Sequence, residues 1–194
     1  MTRWAWRRWS AWCCAAGLLA MLAACATPAR IAGRPGVASF DRTGRFAVTV
    51  DRGNAGRKAV QGGFSWHDDG AGLTLDLANP LGSTLARVTV TPAGATLLRA
   101  NGTSQQAPSA DALVAQVLGS PIPVAGLRDW LRGRTQGGAT GDLKKNAAGQ
   151  VESFTQDGWL VRLSNYDTQG PRLLRMLRDG PDGRISVRLA VDSR

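Results

Sequence analysis

From Phe40 onward, apolar and polar residues mostly alternate with period two, as in strands with one buried face. Phe46, Val48 and Val50 share one side of such a segment, and Arg45 shares the other side with Thr49. Turn signals such as Asn-Gly and Asp-Gly separate several of these segments. The sequence therefore predicts an antiparallel meander of roughly nine to eleven strands. The further predicted strands cover residues 59–67, 73–77, 85–91, 95–99, 151–155, 159–165, 173–177 and 185–191.

Two short helices are predicted to interrupt the meander. Ser109 can cap the first, whose apolar residues recur at helical spacing until Gly119. The second is predicted over residues 125–132, with Gly133 ending it. The segment 133–141 is rich in Gly, Thr and Gln, which predicts a mobile surface loop.

The apolar side of this predicted sheet has to be covered. Two helices of about eight residues are small for that purpose. The sheet could curl into a barrel packed with its own side chains, or it could leave an apolar hollow beneath the helices. The alternation of residues alone leaves both arrangements open.

The N-terminus has the features of a secretory signal. Three arginines in the first eight residues precede an apolar run over 9–24, and this run is shorter than the roughly 20 residues that span a bilayer. Leu22-Ala-Ala-Cys25 resembles a bacterial lipobox, which implies removal of residues 1–24 and lipid attachment at Cys25. An ordinary signal cleaved near Ala24, with Cys25 as a free thiol, is the alternative. Residues 25–39 then form the lipidated cysteine and a flexible tether, and residues 40–194 form a single domain.

Ala26 predicts the cellular location of the protein, and the overall charge limits the classes of binding partner. In lipoprotein sorting an Asp after the lipidated cysteine favours the inner membrane, so Ala26 predicts a lipid-anchored protein on the periplasmic side of the outer membrane. The chain has 24 Lys and Arg against 14 Asp and Glu, which suits anionic surfaces. The basic residues do not form a run, so a nucleic-acid partner is not predicted.

The sequence offers little catalytic chemistry. Ser65 and His67 lie two apart on one predicted strand, without the second glycine of a nucleophile elbow. No phosphate-binding loop and no Cys or His pair at metal-ligand spacing is present in the sequence. We therefore predict no enzymatic activity, no cofactor and no metal, and any step that consumes energy is expected to occur in a partner.

The loop Ala78-Asn-Pro-Leu-Gly-Ser-Thr84 places a large aliphatic residue, Leu81, among turn-forming residues. Leu81 could fold back onto the domain. Alternatively it could project into solvent, and an exposed apolar tip would indicate contact with a membrane or a partner.

Several motifs together resemble the LolB family of outer-membrane lipoproteins. They follow the lipobox in this order: Gly44-Arg-Phe-Ala47, Gly63-Phe-Ser-Trp66, Leu75-Asp-Leu-Ala-Asn-Pro-Leu-Gly-Ser-Thr84, Ile122-Pro123 and Leu127-Arg-Asp-Trp-Leu131. The resemblance implies a mainly β fold with a strongly curved antiparallel half-barrel sheet and a short helical lid over an apolar cavity. It also implies that a monomer accepts triacylated lipoproteins from a LolA-type periplasmic carrier and inserts them into the lipid of the outer membrane. Leu81 would be the loop residue that acts in cargo release and membrane insertion.

Strand parity and the second helix give the candidates for the cavity lining: Phe46, Val48, Phe64, Trp66, Leu75, Leu77, Trp130 and Leu131. Two other functions stay open at this point. One is a carrier for another acylated lipid, and the other is a structural or assembly lipoprotein of the outer membrane with a filled core.

Overall fold

The computed structural model describes residues 39–118, 122–181 and 183–193. The predicted signal, the lipid-attachment residue Cys25 and the tether up to residue 38 lie outside the described residues. Those assignments stay predictions.

The described chain forms eleven strands and two α-helices. The strands are β1 (Phe40–Asp51), β2 (Arg57–Asp68), β3 (Leu73–Ala78), β4 (Thr84–Thr91), β5 (Gly94–Arg99), β6 (Ser104–Ala107), β7 (Gly141–Lys145), β8 (Val151–Gln156), β9 (Trp159–Tyr166), β10 (Pro171–Gly180) and β11 (Gly183–Val191). The helices, α1 (Ala110–Leu118) and α2 (Val124–Trp130), connect β6 to β7, and a short 3₁₀ helix (Gly53–Ala55) lies between β1 and β2.

All eleven strands belong to one antiparallel sheet in the order β6-β5-β4-β3-β2-β1-β11-β10-β9-β8-β7. Consecutive strands pair with each other except β6 and β7, which form the two edges of the sheet. The pairing of β1 with β11 joins the two halves of the chain at the centre of the sheet. The predicted meander and the open, curved antiparallel sheet with a small helical part are confirmed. The two edge strands, β6 and β7, were not among the strands predicted from the alternation.

The helices begin where the sequence indicates, and their ends are held by polar contacts. The Ser109 hydroxyl accepts a hydrogen bond from the Ala112 N–H at 3.1 Å, which caps α1. Asp111 in α1 accepts one from the Ala125 N–H at 3.0 Å and thus caps α2. The second helix ends at Trp130, two residues before the predicted end. Within the described ranges, no helix is long and apolar enough to cross a membrane.

The inner face of the sheet is filled in one half of the molecule. Side chains of β8, β9 and β10 are almost fully excluded from solvent there, and Phe154 packs edge-to-face against Trp130 of α2 with ring centroids 5.7 Å apart. The buried Gln156 amide accepts from Trp130 Nε1 and donates to the Gln136 carbonyl, which fixes the loop after α2 to this core. The fully buried members from these strands are Phe154, Trp159, Val161, Leu163, Leu174 and Met176.

A buried carboxylate ties α2 to the end of β2. Asp68 is only 1% exposed and accepts hydrogen bonds from Arg128 Nε at 2.8 Å and from Arg132 Nη2 at 2.8 Å. Burial alone would raise the pKa of Asp68, but these two arginines and the Gly70 N–H lower it well below its usual range. The guanidinium of Arg132 also lies 4.0 Å from the ring centroid of Phe40. Asp68 is therefore the ionised centre of the contact that holds the helix on the sheet.

Substituting Asp68→Asn should lower the free energy of unfolding by about 2–4 kcal/mol, because two arginines lose their shared buried counter-charge. The value stays below the upper limit for buried pairs because Arg128 and Arg132 keep 36% and 21% of their side-chain surface exposed. Urea unfolding measures the change. Asp179→Asn is the matched control, since Asp179 pairs with Arg184 on the surface, and it should leave stability unchanged. Equal losses in the two variants would contradict the role given to Asp68.

The same carboxylate predicts a dependence of stability on acid pH. The pKa of Asp68 is lower in the folded state than its ordinary value of 3.8. Its contribution is therefore fully present above that value and is lost as the pH falls towards the folded-state pKa. The free energy of unfolding should fall below about pH 4 more steeply for the natural chain than for Asp68→Asn. Parallel curves for the two proteins would show that another group dominates.

Candidate functional site

An apolar cavity of about 380 Å³ lies between the other half of the sheet and the two helices. Its volume falls within the range of small-molecule and cofactor pockets. Among the described residues that line it, all are apolar except Arg52 and Lys58. The sheet contributes Phe46, Val48, Val50, Val60, Phe64, Trp66, Leu75, Leu77, Leu85, Ala86, Val187 and Leu189, and the helical part contributes Val114, Val117, Ile122, Val124 and Leu127.

The structure brings together six of the eight candidate lining residues and separates the other two. Phe46, Val48, Phe64, Trp66, Leu75 and Leu77 all line the cavity. Trp130 and Leu131 do not line it: both are completely buried in the filled half of the core. The two residues are separated from the cavity because α2 covers both the hollow half and the filled half of the sheet. Leu127 faces the cavity, whereas Trp130 faces Phe154.

Sequence reasoning missed about two thirds of the described wall. Val50 and Val60 continue the same strand faces, so parity along β1 and β2 could have included them. Val187 and Leu189 belong to β11, and only the pairing of β1 with β11 places them beside Phe46 and Val48. That pairing joins segments about 140 residues apart and leaves no local signal.

Gly62 allows the wall to close tightly between β2 and β3. A Cβ atom at this position would lie 2.0 Å from the carbonyl oxygen of Ala78 and 3.2 Å from the ring of Phe46. Only glycine fits this approach without a shift of the backbone. The missing side chain thus lets the Phe46 ring lie across β2 as part of the lining.

The cavity opens at the end of the sheet where the β1–β2 hairpin lies. Val60 and Leu85 line the cavity yet keep 51% and 44% of their surface exposed, so they mark its mouth. The two charged lining residues, Arg52 and Lys58, lie at the same hairpin. The opening of the cavity thus has an apolar rim with positively charged residues beside it.

The loop after β3 projects Leu81 into solvent at this same end. Strand β3 runs parallel to β1, because each is antiparallel to β2, so both strands end on the side of the mouth. Leu81 is 92% exposed. It does not fold back onto the domain.

Asn79 holds this loop in a fixed conformation. Its side-chain oxygen accepts hydrogen bonds from the Leu81 N–H at 2.9 Å and the Ser83 N–H at 3.0 Å, and its backbone carbonyl accepts from Gly82 at 2.9 Å. Gly82 has a φ of 89°, a conformation that favours glycine. The turn residues therefore order a loop whose tip is a large apolar side chain.

Ser65 and His67 lie on the opposite, outer face of β2, away from the cavity. His67 Nδ1 contacts a carboxylate oxygen of Asp41 on the neighbouring strand, and this hydrogen bond raises the pKa of His67. The imidazole is engaged with Asp41 and not with the Ser65 hydroxyl. The arrangement offers no activated nucleophile.

Comparison with known proteins gives a consistent result. The profile of the family described as "Outer membrane lipoprotein LolB" matches residues 38–193. An outer-membrane lipoprotein LolB of Bordetella petrii is 52% identical over 98% of this chain and 94% of its own length. The proteins of the same name from Bordetella pertussis and Cupriavidus necator are 52% and 40% identical, covering 90% and 97% of this chain and 88% and 97% of their own lengths. The chain belongs to the LolB family of outer-membrane lipoproteins.

Proposed function

We propose that this protein accepts triacylated lipoproteins from a LolA-type periplasmic carrier and inserts them into the inner leaflet of the outer membrane, without hydrolysing nucleotide. The lipid on Cys25 anchors it on the periplasmic side, and the apolar cavity receives the acyl chains of the cargo. The open apolar cavity is the observation that carries this proposal.

The energetics of acyl chains explain why a cavity is required. A buried methylene contributes about 0.8 kcal/mol, so exposing one sixteen-carbon chain to water costs about 12 kcal/mol. Free passage of a triacylated protein through the periplasm is therefore excluded. Transfer without nucleotide runs in one direction if the cavity binds acyl chains more tightly than the carrier does and less tightly than the bilayer does.

The position of the mouth supports release into a membrane. The exposed rim residues Val60 and Leu85 and the tip residue Leu81 all lie at one end of the sheet. Leu81 can bury its side chain in the lipid for a gain of about 1.5–3 kcal/mol. This energy is too small to anchor the protein, but it is sufficient to favour orientations in which the mouth faces the bilayer.

The proposal is tested by transfer of cargo between two purified proteins. LolA loaded with a radiolabelled triacylated lipoprotein is mixed with the chain from residue 26 onward, and the mixture is separated by gel filtration. We expect the label to move to this protein, because the transfer is downhill. Label that stays on LolA would contradict the proposal and favour an assembly lipoprotein. Binding of other acylated lipids without acceptance of cargo from LolA would favour a lipid carrier.

Substituting Leu81→Glu should block release while leaving acceptance intact, because a charge at the tip opposes insertion into lipid and Leu81 lies outside the cavity wall. Acceptance is measured by gel filtration with labelled cargo, and release by the label recovered in liposomes. Leu98→Glu is the matched control: Leu98 is also a solvent-exposed leucine, with 49% of its surface exposed, but it lies on the outer face of β5. Normal insertion by Leu81→Glu, or an equal loss in both variants, would contradict the role of the loop.

A further inference from the structure

Three arginines lie next to each other on neighbouring strands, on the outer face of the sheet and away from the cavity. Arg175 of β10 is the register partner of both Arg162 of β9 and Arg188 of β11. All three side chains are exposed. Because neighbouring strands lie about 4.8 Å apart, the three cations form a line across the strands.

The row continues towards the edge of the sheet. Ser153 of β8 is opposite Arg162, and Lys144 of β7 is opposite Ser153. We name these five residues, Lys144, Ser153, Arg162, Arg175 and Arg188, the basic row. It spans four strand spacings, which is about 19 Å.

No described carboxylate pairs with a cation of the basic row. Three acidic residues lie near it on the same sheet. Glu152 of β8 has the strand parity of the buried Phe154 and so lies on the opposite face from Ser153, and the other two are engaged elsewhere. Asp179 accepts a hydrogen bond from Arg184 at 2.6 Å, and Asp142 contacts the Thr155 hydroxyl at 3.5 Å. The positive charge of the row is therefore not neutralised by the described part of the chain.

This arrangement is unfavourable for the fold on its own. Like charges directly opposite each other on neighbouring strands destabilise a sheet. The row also borders a surface pocket of about 430 Å³, in which Leu160, Leu177 and Ser186 lie beside the three arginines. An anionic partner would remove the repulsion, and the two leucines offer it an apolar contact.

We propose that the basic row is a docking site for an acidic helix on a partner protein. Carboxylates at i, i+3 and i+4 positions of a helix are about 5–6 Å apart, which matches the spacing of cations on adjacent strands. A helix of about 13 residues spans about 19 Å, the length of the row. Such a helix would lie across the strands, with its glutamates on the arginines and its apolar side chains on Leu160 and Leu177.

The position of the row favours a protein over a lipid surface, in the orientation given by the proposed function. Arg188 is opposite Ala47 of β1, and β1 continues for four more residues towards the mouth. At about 3.3 Å per residue the row lies about 13 Å from the strand end that would face the bilayer. Lipid headgroups at the mouth would not reach all of its cations.

The test uses the full mature protein in mild detergent and a fluorescent, stapled helical peptide of about 13 residues with glutamates at i, i+4 spacing. Anisotropy at low ionic strength measures binding. We expect Arg175→Gln with Arg188→Gln to weaken binding about tenfold. Arg57→Gln with Arg99→Gln removes the same charge elsewhere and should change binding less than about twofold. A peptide of the same composition with its glutamates spread round the helix should bind less tightly.

Equal losses in the two double variants, or equal binding of the two peptides, would overturn the proposal, since net charge alone would then explain the attraction. A second arm uses the chain from residue 26 onward, which lacks the lipid anchor of Cys25, and measures its flotation with phosphatidylglycerol vesicles. If Arg175→Gln with Arg188→Gln abolishes flotation but leaves peptide binding unchanged, the row binds lipid and the proposal is wrong. Thermal unfolding separates these effects from misfolding: the row variant should unfold at the same or a higher temperature, because repulsion is relieved.

Discussion

The inner face of the sheet buries more apolar surface than two short helices can fill, and this mismatch shapes the rest of the structure. An apolar face has to be removed from water by some partner. Side chains of β8 to β10 and the end of α2 do this in one half by close packing. In the other half the strands β1 to β4 and β11 keep a cavity of about 380 Å³. The protein thus combines a packed core, which supplies stability, with an apolar cavity.

The two ends of β2 have different structural roles. At one end the ionised Asp68 holds α2 through Arg128 and Arg132. At the other end Lys58 and Val60 belong to the mouth of the cavity. The helix that covers the cavity is therefore fixed by a polar contact on the side away from the opening. In the proposed function, apolar cargo enters and leaves at the mouth without competing with that contact.

Local patterns in the sequence predicted most of the fold. Period-two alternation located nine strands, and the Ser109 cap located α1, because both signals arise from neighbouring residues. The edge strands β6 and β7 lacked such a signal: Ser-Gln-Gln-Ala and Gly-Asp-Leu-Lys-Lys bury no regular apolar face. The end of α2 was placed two residues late, because Leu131 is buried and still has helical dihedral angles, while Arg132 and Gly133 belong to the turn that follows the helix.

The site was predicted less completely, because its walls come from distant parts of the chain. Strand parity correctly placed Phe64 and Leu75 on the inner face, but it could not separate the filled half from the hollow half. Trp130 illustrates this limit: its spacing on α2 matches a lid residue, and only the contact with Phe154 shows that it belongs to the packed core. The ion pairs of Asp68 join residues 60 and 64 positions apart. An ion pair between residues so far apart leaves no local pattern in the sequence.

In the proposed function, acyl chains occupy the hollow half of the core. The most direct measurement is paramagnetic relaxation by NMR, with methyl-labelled protein and a palmitoyl lipopeptide that carries a nitroxide near the end of its acyl chain. We expect strong broadening of the methyl signals of Leu75, Leu77 and Val187, which line the cavity, and little broadening of those of Val161 and Leu174. Broadening confined to exposed methyl groups, or equal in both halves of the core, would contradict it.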